Sequence, residues 1–161
     1  MKQKLSVFAV LLMALALPQS VRAYDFSAVA PTGQTLYYSI RTDENGVSVV
    51  WPNASATTVS ETWTGYTKPT GALTIPASVV HNGTTYPVTG IGTAFCECTG
   101  LTSVTIPSSV KSIVVTTFYG CTGLTSVDLG DSLTYIGDYA FYNCSSLSSI
   151  NIPNSVTYIG E

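Results

Sequence analysis

The chain has 161 residues, of which 45% are hydrophobic and 9% are charged, and its formal net charge is −3. So few charges with so much apolar content exclude a generally disordered chain. The chain is also not basic enough to bind nucleic acid by neutralising phosphates. One His and six Lys and Arg residues leave few groups for acid–base or phosphate chemistry. The length corresponds to about one domain.

Residues 1–23 have the features of a secretory signal peptide. Two lysines precede an apolar run over 5–17, which is too short to cross about 30 Å of hydrocarbon at about 1.5 Å per residue. Pro18 ends the run, and Val21-Arg22-Ala23 is a small-x-small cleavage site. We predict export, cleavage after Ala23, and no membrane insertion of the remaining chain. That remainder has three cations against nine carboxylates, a net charge of −6, which disfavours binding to nucleic acid.

Residues 24–70 do not repeat and are predicted to form an N-terminal β cap. The runs 36–40 and 47–51 are rich in β-branched and aromatic residues, which predicts two strands. Asp-Glu-Asn-Gly at 43–46 is the predicted turn of this hairpin. Because the end of a repeat array exposes its core and its sheet edge, a cap is needed there.

The segment 52–69 is predicted to be a polar loop. Trp63 and Tyr66 are its predicted anchors, since large aromatic rings in a polar loop pack against the body of a domain. The same rings could also stack on a sugar, so a carbohydrate-binding role stays open. Packing within the cap explains them equally well.

A first coil with a hairpin is predicted over 71–90. Residues 73–79 have the sequence of one strand position of the repeat described below. Asn82-Gly83 between apolar runs is a hairpin signal. His81, the only histidine, precedes this turn and is predicted to be exposed to solvent.

From residue 91 onward the sequence repeats every 23 residues. A fixed period of this size is typical of a solenoid. Apolar residues two apart, such as Val104 and Ile106, predict short strands with one face in the core. Each phenylalanine is predicted to lie inside the coil on a short helical or 3₁₀ turn, because the runs are too short for a longer helix. The repeated positions are Phe95, Phe118 and Phe141; Cys98, Cys121 and Cys144; Leu101, Leu124 and Leu147; Val104, Val127 and Ile150; Ile106, Leu129 and Ile152.

The pattern I-G-x-x-A-F-x-x-C-x-x-L-x-x-V-x-I-P-x-S-V resembles the BspA-like, or Treponema pallidum-type, leucine-rich repeats. The resemblance covers about 71–161, with departures at 113–115, where Gly is replaced, and at Gly130, which stands in place of Pro. It implies a mainly β leucine-rich-repeat coil whose short parallel strands form one continuous sheet. It also implies a surface protein, since members of this family are surface antigens and adhesins, some of which bind extracellular-matrix proteins.

The chain stops at residues 159–161, where the register requires the Ala-Phe of a fourth copy. We therefore expect a protein truncated at its C-terminus. The alternative is a short protein that self-associates through the open C-terminal edge.

Three cysteines, Cys98, Cys121 and Cys144, share one repeat position and should form a ladder of buried structural thiols. Side chains about 4.8 Å apart are beyond the usual disulfide Cβ separation of about 3.8 Å. A straight ladder also cannot supply the tetrahedral ligand set of zinc. We therefore predict no metal and no cofactor. Cys96 stands where the other copies have tyrosine; if exposed, it could pair between chains in an exported protein.

The sequence offers no recognisable set of catalytic residues. No G-x-S-x-G motif occurs, no nucleophile can be paired with a second histidine, and the carboxylates are too scattered for a glycosidase pair. We predict a non-catalytic, adhesin-like protein that binds an extracellular or host-surface macromolecule, either protein or glycan. The alternative is a targeting or carbohydrate-binding module of a secreted enzyme with its catalytic domain beyond residue 161.

The predicted binding surface is the outward face of the repeat strands, because the extended face of a solenoid is a common binding platform. A plain solvated face is the alternative, and the outward tyrosines Tyr119 and Tyr142 are a second possible surface. The predicted face consists of Ser103, Thr105, Ser126, Asp128, Ser149 and Asn151.

Overall fold

The computed structural model describes residues 24–43, 45–53, 55–58 and 61–161, so the predicted signal peptide lies outside the described residues. Within these ranges the chain forms eleven β-strands and no α-helix. No helix in this part of the chain is long and apolar enough to cross a membrane. The strands are β1 (Phe26–Val29), β2 (Thr35–Arg41), β3 (Gly46–Val50), β4 (Gly71–Thr74), β5 (Ser78–His81), β6 (Thr84–Ile91), β7 (Leu101–Thr105), β8 (Ser112–Ile113), β9 (Ser126–Asp128), β10 (Tyr135–Ile136) and β11 (Tyr158–Ile159).

The N-terminal strands form an antiparallel meander in which β2 pairs with both β1 and β3. β2 and β3 occupy the two predicted strands, where alternating Tyr, Ile and Val side chains suit a pleated, half-buried surface. β1 was not predicted, because its four residues are too few to show an alternating pattern. Glu44 of the predicted turn lies outside the described residues.

The meander continues into the larger of two sheets. β3 pairs in parallel with β6, with a register shift between Val47 and Ser48. The eight-stranded sheet then runs β1-β2-β3-β6-β8-β10-β11, with β5 paired antiparallel to β6 as a hairpin. The repeat strands β8, β10 and β11 are only two residues long and lie parallel to one another.

The prediction of one continuous sheet is wrong, since a coil such as the first repeat contributes β7 and β8 to different sheets. The second sheet is three-stranded and parallel, in the order β4-β7-β9. The sequence also predicts strand residues at Ser149 and Asn151 of the next copy, and this prediction is wrong. Gly130, at φ 64°, turns the chain immediately after Leu129. Ser149 and Asn151 lie in no strand, so this sheet ends at β9, and a shallow cleft lined by Asp128, Gly130 and Asn151 lies beside it.

Between the two sheets each coil turns through a short segment that carries its phenylalanine. No helix forms in these segments, but each contains an i→i+3 hydrogen bond of the 3₁₀ type, so the predicted short turn is present without a helix. Each is a hydrogen-bonded turn, in which the N–H of Cys98, for example, donates to the Phe95 carbonyl at 3.1 Å. The residue before each cysteine, Glu97, Gly120 or Asn143, has a φ of 54–69°. A left-handed residue cannot continue a right-handed helix, so the turn ends there.

The core is a column of side chains that recur from coil to coil. Phe95, Phe118 and Phe141 stack with ring centroids 5.2 and 5.3 Å apart and nearly parallel planes. Hydrogen bonds also recur, because the hydroxyls of Thr125, Thr134 and Thr157 each donate to the carbonyl oxygen 23 residues earlier. The chain thus forms a leucine-rich-repeat fold composed mostly of strands.

Candidate interaction surfaces

The outer face of β4, β7 and β9 carries two columns of small side chains, which we call the serine-threonine face. The register aligns Ala72 with Ser103 and Ser126 in one column. It aligns Thr74 with Thr105 and Asp128 in the other. The structure thus brings four of the six predicted residues together on one sheet. Ser149 and Asn151 are exposed but lie outside the strands.

The serine-threonine face is open to solvent and nearly uncharged. Thr105, Ser126 and Asp128 are exposed, and Ser103 is half-buried. Asp128 accepts a hydrogen bond from the Gly130 N–H at 3.2 Å, and it is the only charged residue in the two columns. The columns contain none of the aromatic or Arg side chains that usually dominate binding energy. A partner of this face would therefore bind through many weak polar contacts.

Exposed and half-buried tyrosines form stacked pairs elsewhere on the coils. Tyr119 and Tyr142 stack at 5.2 Å, and Tyr139 meets Tyr142 edge-on at 5.9 Å. On the larger sheet, Tyr135 and Tyr158 stack at 4.8 Å and are 40% and 48% exposed. The sequence analysis missed this second pair. The sequence feature that indicates this pair is the Thr-Tyr-Ile-Gly motif, which occurs at 134–137 and again at 157–160.

A shallow cleft of about 370 Å³ lies beside Tyr119. Lys68 reaches it from the N-terminal segment and donates to the Glu97 carbonyl at 2.9 Å, with its Nζ 4.0 Å from Glu97 Oε2. Thr99, Thr122 and Asn143 supply further polar groups. The cleft thus combines an aromatic wall with an ion pair and hydrogen-bonding groups.

The cysteines that share a repeat position are buried and free, as is Cys96. Cys121 Sγ donates to the Phe95 carbonyl at 3.1 Å, and Cys144 Sγ donates to the Phe118 carbonyl at 3.2 Å. Burial raises the pKa of Cys96 to about 11 and the pKa of Cys121 to about 12. Burial also raises the pKa of Cys98 and Cys144. Such thiols stay protonated near neutral pH and are poor nucleophiles and poor metal ligands.

Cys96 does not occupy the exposed position that intermolecular pairing would need. Its side chain is fully buried. Among the described residues, no group of three or more His, Cys, Asp or Glu side chains could hold a metal ion.

The prediction that His81 is solvent-exposed is wrong. The hairpin loop consists of Asn82 and Gly83, whose φ values of 50° and 76° fit a two-residue type I′ turn. His81 is therefore the last residue of β5 and pairs with Thr84. Its half-buried ring stacks on Phe26 of β1, with centroids 4.3 Å apart.

The aromatic rings of the N-terminal segment pack inward. Trp63 is 3% exposed, and its Nε1 donates to the Ala94 carbonyl at 3.0 Å. Tyr37 meets Trp63 and Tyr66 edge-on, at 5.9 and 5.4 Å. Burial, together with the neighbouring Tyr24 and Tyr66 hydroxyls, raises the pKa of Tyr37 to about 12. A buried Trp63 cannot stack on a sugar, so it anchors the loop to the first repeat instead.

Comparisons with known proteins agree with this geometry. A family model described as the BspA type leucine rich repeat region matches residues 89–161 with six copies. A leucine-rich repeat protein from Bacteroides capillosus is 33% identical over 83% of this chain and 86% of that chain, with a TM-score of 0.63. This chain belongs to the BspA-type leucine-rich-repeat family.

Two longer leucine-rich-repeat proteins are also similar in structure. The Treponema pallidum leucine rich repeat protein is 30% identical over 78% of this chain and 51% of its own, with a TM-score of 0.63. A leucine rich cell surface protein from Faecalibacterium prausnitzii is 25% identical over 82% of this chain and 38% of its own, with a TM-score of 0.57. This chain therefore spans about half of the former and less than half of the latter. The comparison with curated proteins gave no significant match.

Proposed function

We propose that this BspA-type protein is exported, acts at the cell surface, and binds an extracellular protein without catalysing a reaction. Three findings support export and surface display: the signal-like residues 1–23, the family, and the description of the Faecalibacterium prausnitzii relative as a cell surface protein. The large polar face and the protonated, buried thiols support a binding role over a catalytic one.

The serine-threonine face is the observation on which the proposed function depends. Its columns run across three parallel strands without an interrupting large side chain. A flat polar face of this kind leaves room for a partner to approach closely along the solenoid axis. Affinity would grow with the number of coils engaged, because each coil adds at least one hydroxyl group to the face.

The N-terminal meander serves, in this proposal, as the cap of the solenoid. β3 pairs in parallel with β6 and so covers the sheet edge that the first coil would otherwise expose. Trp63 and the Gln34 amide, which donates to the Thr70 and Ala72 carbonyls at 2.9 and 2.8 Å, join this segment to the first coils.

A matched pair of arginine substitutions tests the binding face. Thr105→Arg places a long charged side chain in the middle of the serine-threonine face, whereas Thr134→Arg makes the same change at an exposed threonine beside the larger sheet. With immobilised extracellular-matrix proteins and surface plasmon resonance, we expect Thr105→Arg to weaken binding at least about tenfold, or about 1.4 kcal/mol. Thr134→Arg should bind like the native chain. The proposal fails if the native chain binds no matrix protein, or if both variants lose affinity equally.

Carbohydrate binding is the second candidate function, favoured by the cleft beside Tyr119. An aromatic wall close to Lys68, Glu97 and Asn143 can hold a sugar ring and its hydroxyls. A glycan array separates the two candidates. Loss of glycan binding in Tyr119→Ala, but not in Tyr135→Ala, would favour this cleft over the serine-threonine face.

A further inference from the structure

The chain contains two Asn-Gly dipeptides in very different surroundings. Asn82-Gly83 forms the loop between β5 and β6, and Asn45-Gly46 stands where β3 begins. Because the dipeptide is the same in both, a difference in their chemistry must come mainly from the fold.

We propose that Asn82 is a site of spontaneous deamidation and that Asn45 is protected from it. In this reaction the Gly83 backbone nitrogen attacks Cγ of Asn82 and loses its proton to water or hydroxide. The Cγ–Nδ2 bond breaks, and Nδ2 takes up a proton from water and leaves as ammonia. The new bond between the Gly83 nitrogen and Cγ closes a five-membered succinimide. Water then opens this ring at either carbonyl and gives aspartate or isoaspartate. No oxidant, reductant or enzyme is required.

The tip of the β5–β6 hairpin leaves Gly83 free to take part in this reaction. Asn82 and Gly83 are both exposed to solvent. Apart from Gly83 itself and its two chain neighbours, no described residue has a heavy atom within 4 Å of the position that a Cβ of Gly83 would occupy. The turn is two residues long and ends the hairpin, so it can distort without breaking any ladder beyond the His81–Thr84 pair. The nitrogen can therefore approach the Asn82 side chain at low cost.

The surroundings of Gly46 oppose the same approach. Gly46 is buried and pairs with Arg41 in the β2–β3 ladder. A Cβ at Gly46 would lie 2.8 Å from the Pro87 carbonyl oxygen and 2.7 Å from Cγ2 of Thr89, so the backbone of β6 is packed directly against it. Turning the Gly46 nitrogen toward Asn45 requires this end of the sheet to open first.

Deamidation would place a negative charge where the hairpin meets the N-terminal meander. Asn82 Nδ2 lies 3.1 Å from Nε2 of His81, and the His81 ring stacks on Phe26. Deamidation removes the Nδ2 amide group of Asn82, which can donate a hydrogen bond to His81. The carboxylate oxygen that takes its place can only accept one. The isoaspartate product also adds a methylene to the backbone of a loop whose two residues fit the turn closely. The products would therefore differ from the native chain at the contact between β1 and β5.

The experiment follows both asparagines in one sample. The purified full chain is held folded in mildly alkaline buffer, and peptide mapping by mass spectrometry measures conversion of each amide to acid over time. We expect Asn82 to react at least about tenfold faster than Asn45, since a local opening cost of about 1.4 kcal/mol at Gly46 is enough for that ratio.

A parallel incubation in concentrated urea removes the effect of the fold. There the two dipeptides should react at similar rates, and both should react faster as the pH rises. Equal rates in the folded chain, or faster reaction at Asn45, would overturn the proposal. A preference for Asn82 that persists unchanged in urea would also overturn it, because neighbouring residues in the sequence would then be the cause.

Discussion

The N-terminal meander and the repeats contribute to one sheet but are stabilised in different ways. In the meander, strands of up to seven residues pair antiparallel, and the aromatic contacts differ from one residue to the next. In the repeats, strands of two to five residues pair in parallel, and the same contact recurs every 23 residues.

This difference shows how very short strands can persist. A two-residue strand has almost no stability by itself. In the coils, successive copies are joined by the phenylalanine stack, by thiol–carbonyl bonds and by threonine–carbonyl bonds. A substitution inside the array should therefore disturb two adjacent coils, whereas one in the meander should disturb only the contacts particular to that residue.

The largest expected effect is at the middle ring of the phenylalanine stack. Phe118 is fully buried and contacts both Phe95 and Phe141. We expect Phe118→Ala to lower the free energy of unfolding by about 3–5 kcal/mol. Urea denaturation should show a clearly smaller loss for Phe141→Ala, whose ring is half-buried and stacks on one of these rings. Equal losses would contradict the idea that neighbouring coils support each other.

The matching test in the N-terminal segment removes Trp63, the anchor of the loop that follows the meander. Trp63→Phe leaves the Ala94 carbonyl without its donor, which should cost about 1–3 kcal/mol of unfolding free energy. Trp51→Phe is the control, because Trp51 also donates to a carbonyl, that of Asn53, but is only half-buried. Water can replace the hydrogen bond that Trp51 makes, so Trp51→Phe should lower the free energy of unfolding by less than Trp63→Phe. A larger loss for Trp51→Phe would contradict the assignment of Trp63 as the anchor.

Alkaline pH should weaken the repeats through the thiol ladder. Burial raises the pKa of Cys121 from 9.0 to about 12, so the unfolded chain loses this proton first. Stability from the protonated thiol is complete below pH 9 and falls as the pH rises toward 12. The expected slope is about 1.4 kcal/mol per pH unit for this thiol. Chemical denaturation at several pH values should show a shallower slope in Cys121→Ala; an unchanged slope would contradict the prediction.

The smallest expected effect concerns the threonine bonds between coils. Thr125 Oγ1 donates to the Thr102 carbonyl at 2.8 Å from an exposed position. Thr125→Val should therefore cost only about 0.5–1 kcal/mol of unfolding free energy. Thr125→Ser keeps the hydroxyl and should retain most of that stability in thermal or urea unfolding. If the serine variant loses as much as the valine variant, packing rather than the hydrogen bond is responsible.

Sequence reasoning was most successful where the chain repeats. The recurrence of Phe, Cys, Leu and Val at a fixed spacing predicted a leucine-rich-repeat fold composed mostly of strands, because identical positions in successive coils must meet identical neighbours. It failed where a backbone angle decides the outcome. The left-handed Glu97, Gly120 and Asn143 end each turn before a helix can form; Gly and Asn adopt this conformation readily, but the Glu97 residue type does not indicate it.

The candidate binding surface was only partly predictable. Alternation along β7 correctly placed Ser103 and Thr105 on an outer face. The pairing of Tyr135 with Tyr158 and the meeting of Lys68 with Glu97 required knowing how the two sheets and the N-terminal segment are arranged.

By itself the sequence determined the repeat, the family and the chemistry of the coil interior, since these depend on residue types at a constant spacing. Only the tertiary structure decided that His81 stacks on Phe26, that Trp63 is buried and that two identical Asn-Gly pairs have different surroundings. These outcomes arise from contacts between segments far apart in the chain, and no local pattern of residues specifies which distant side chain will lie opposite.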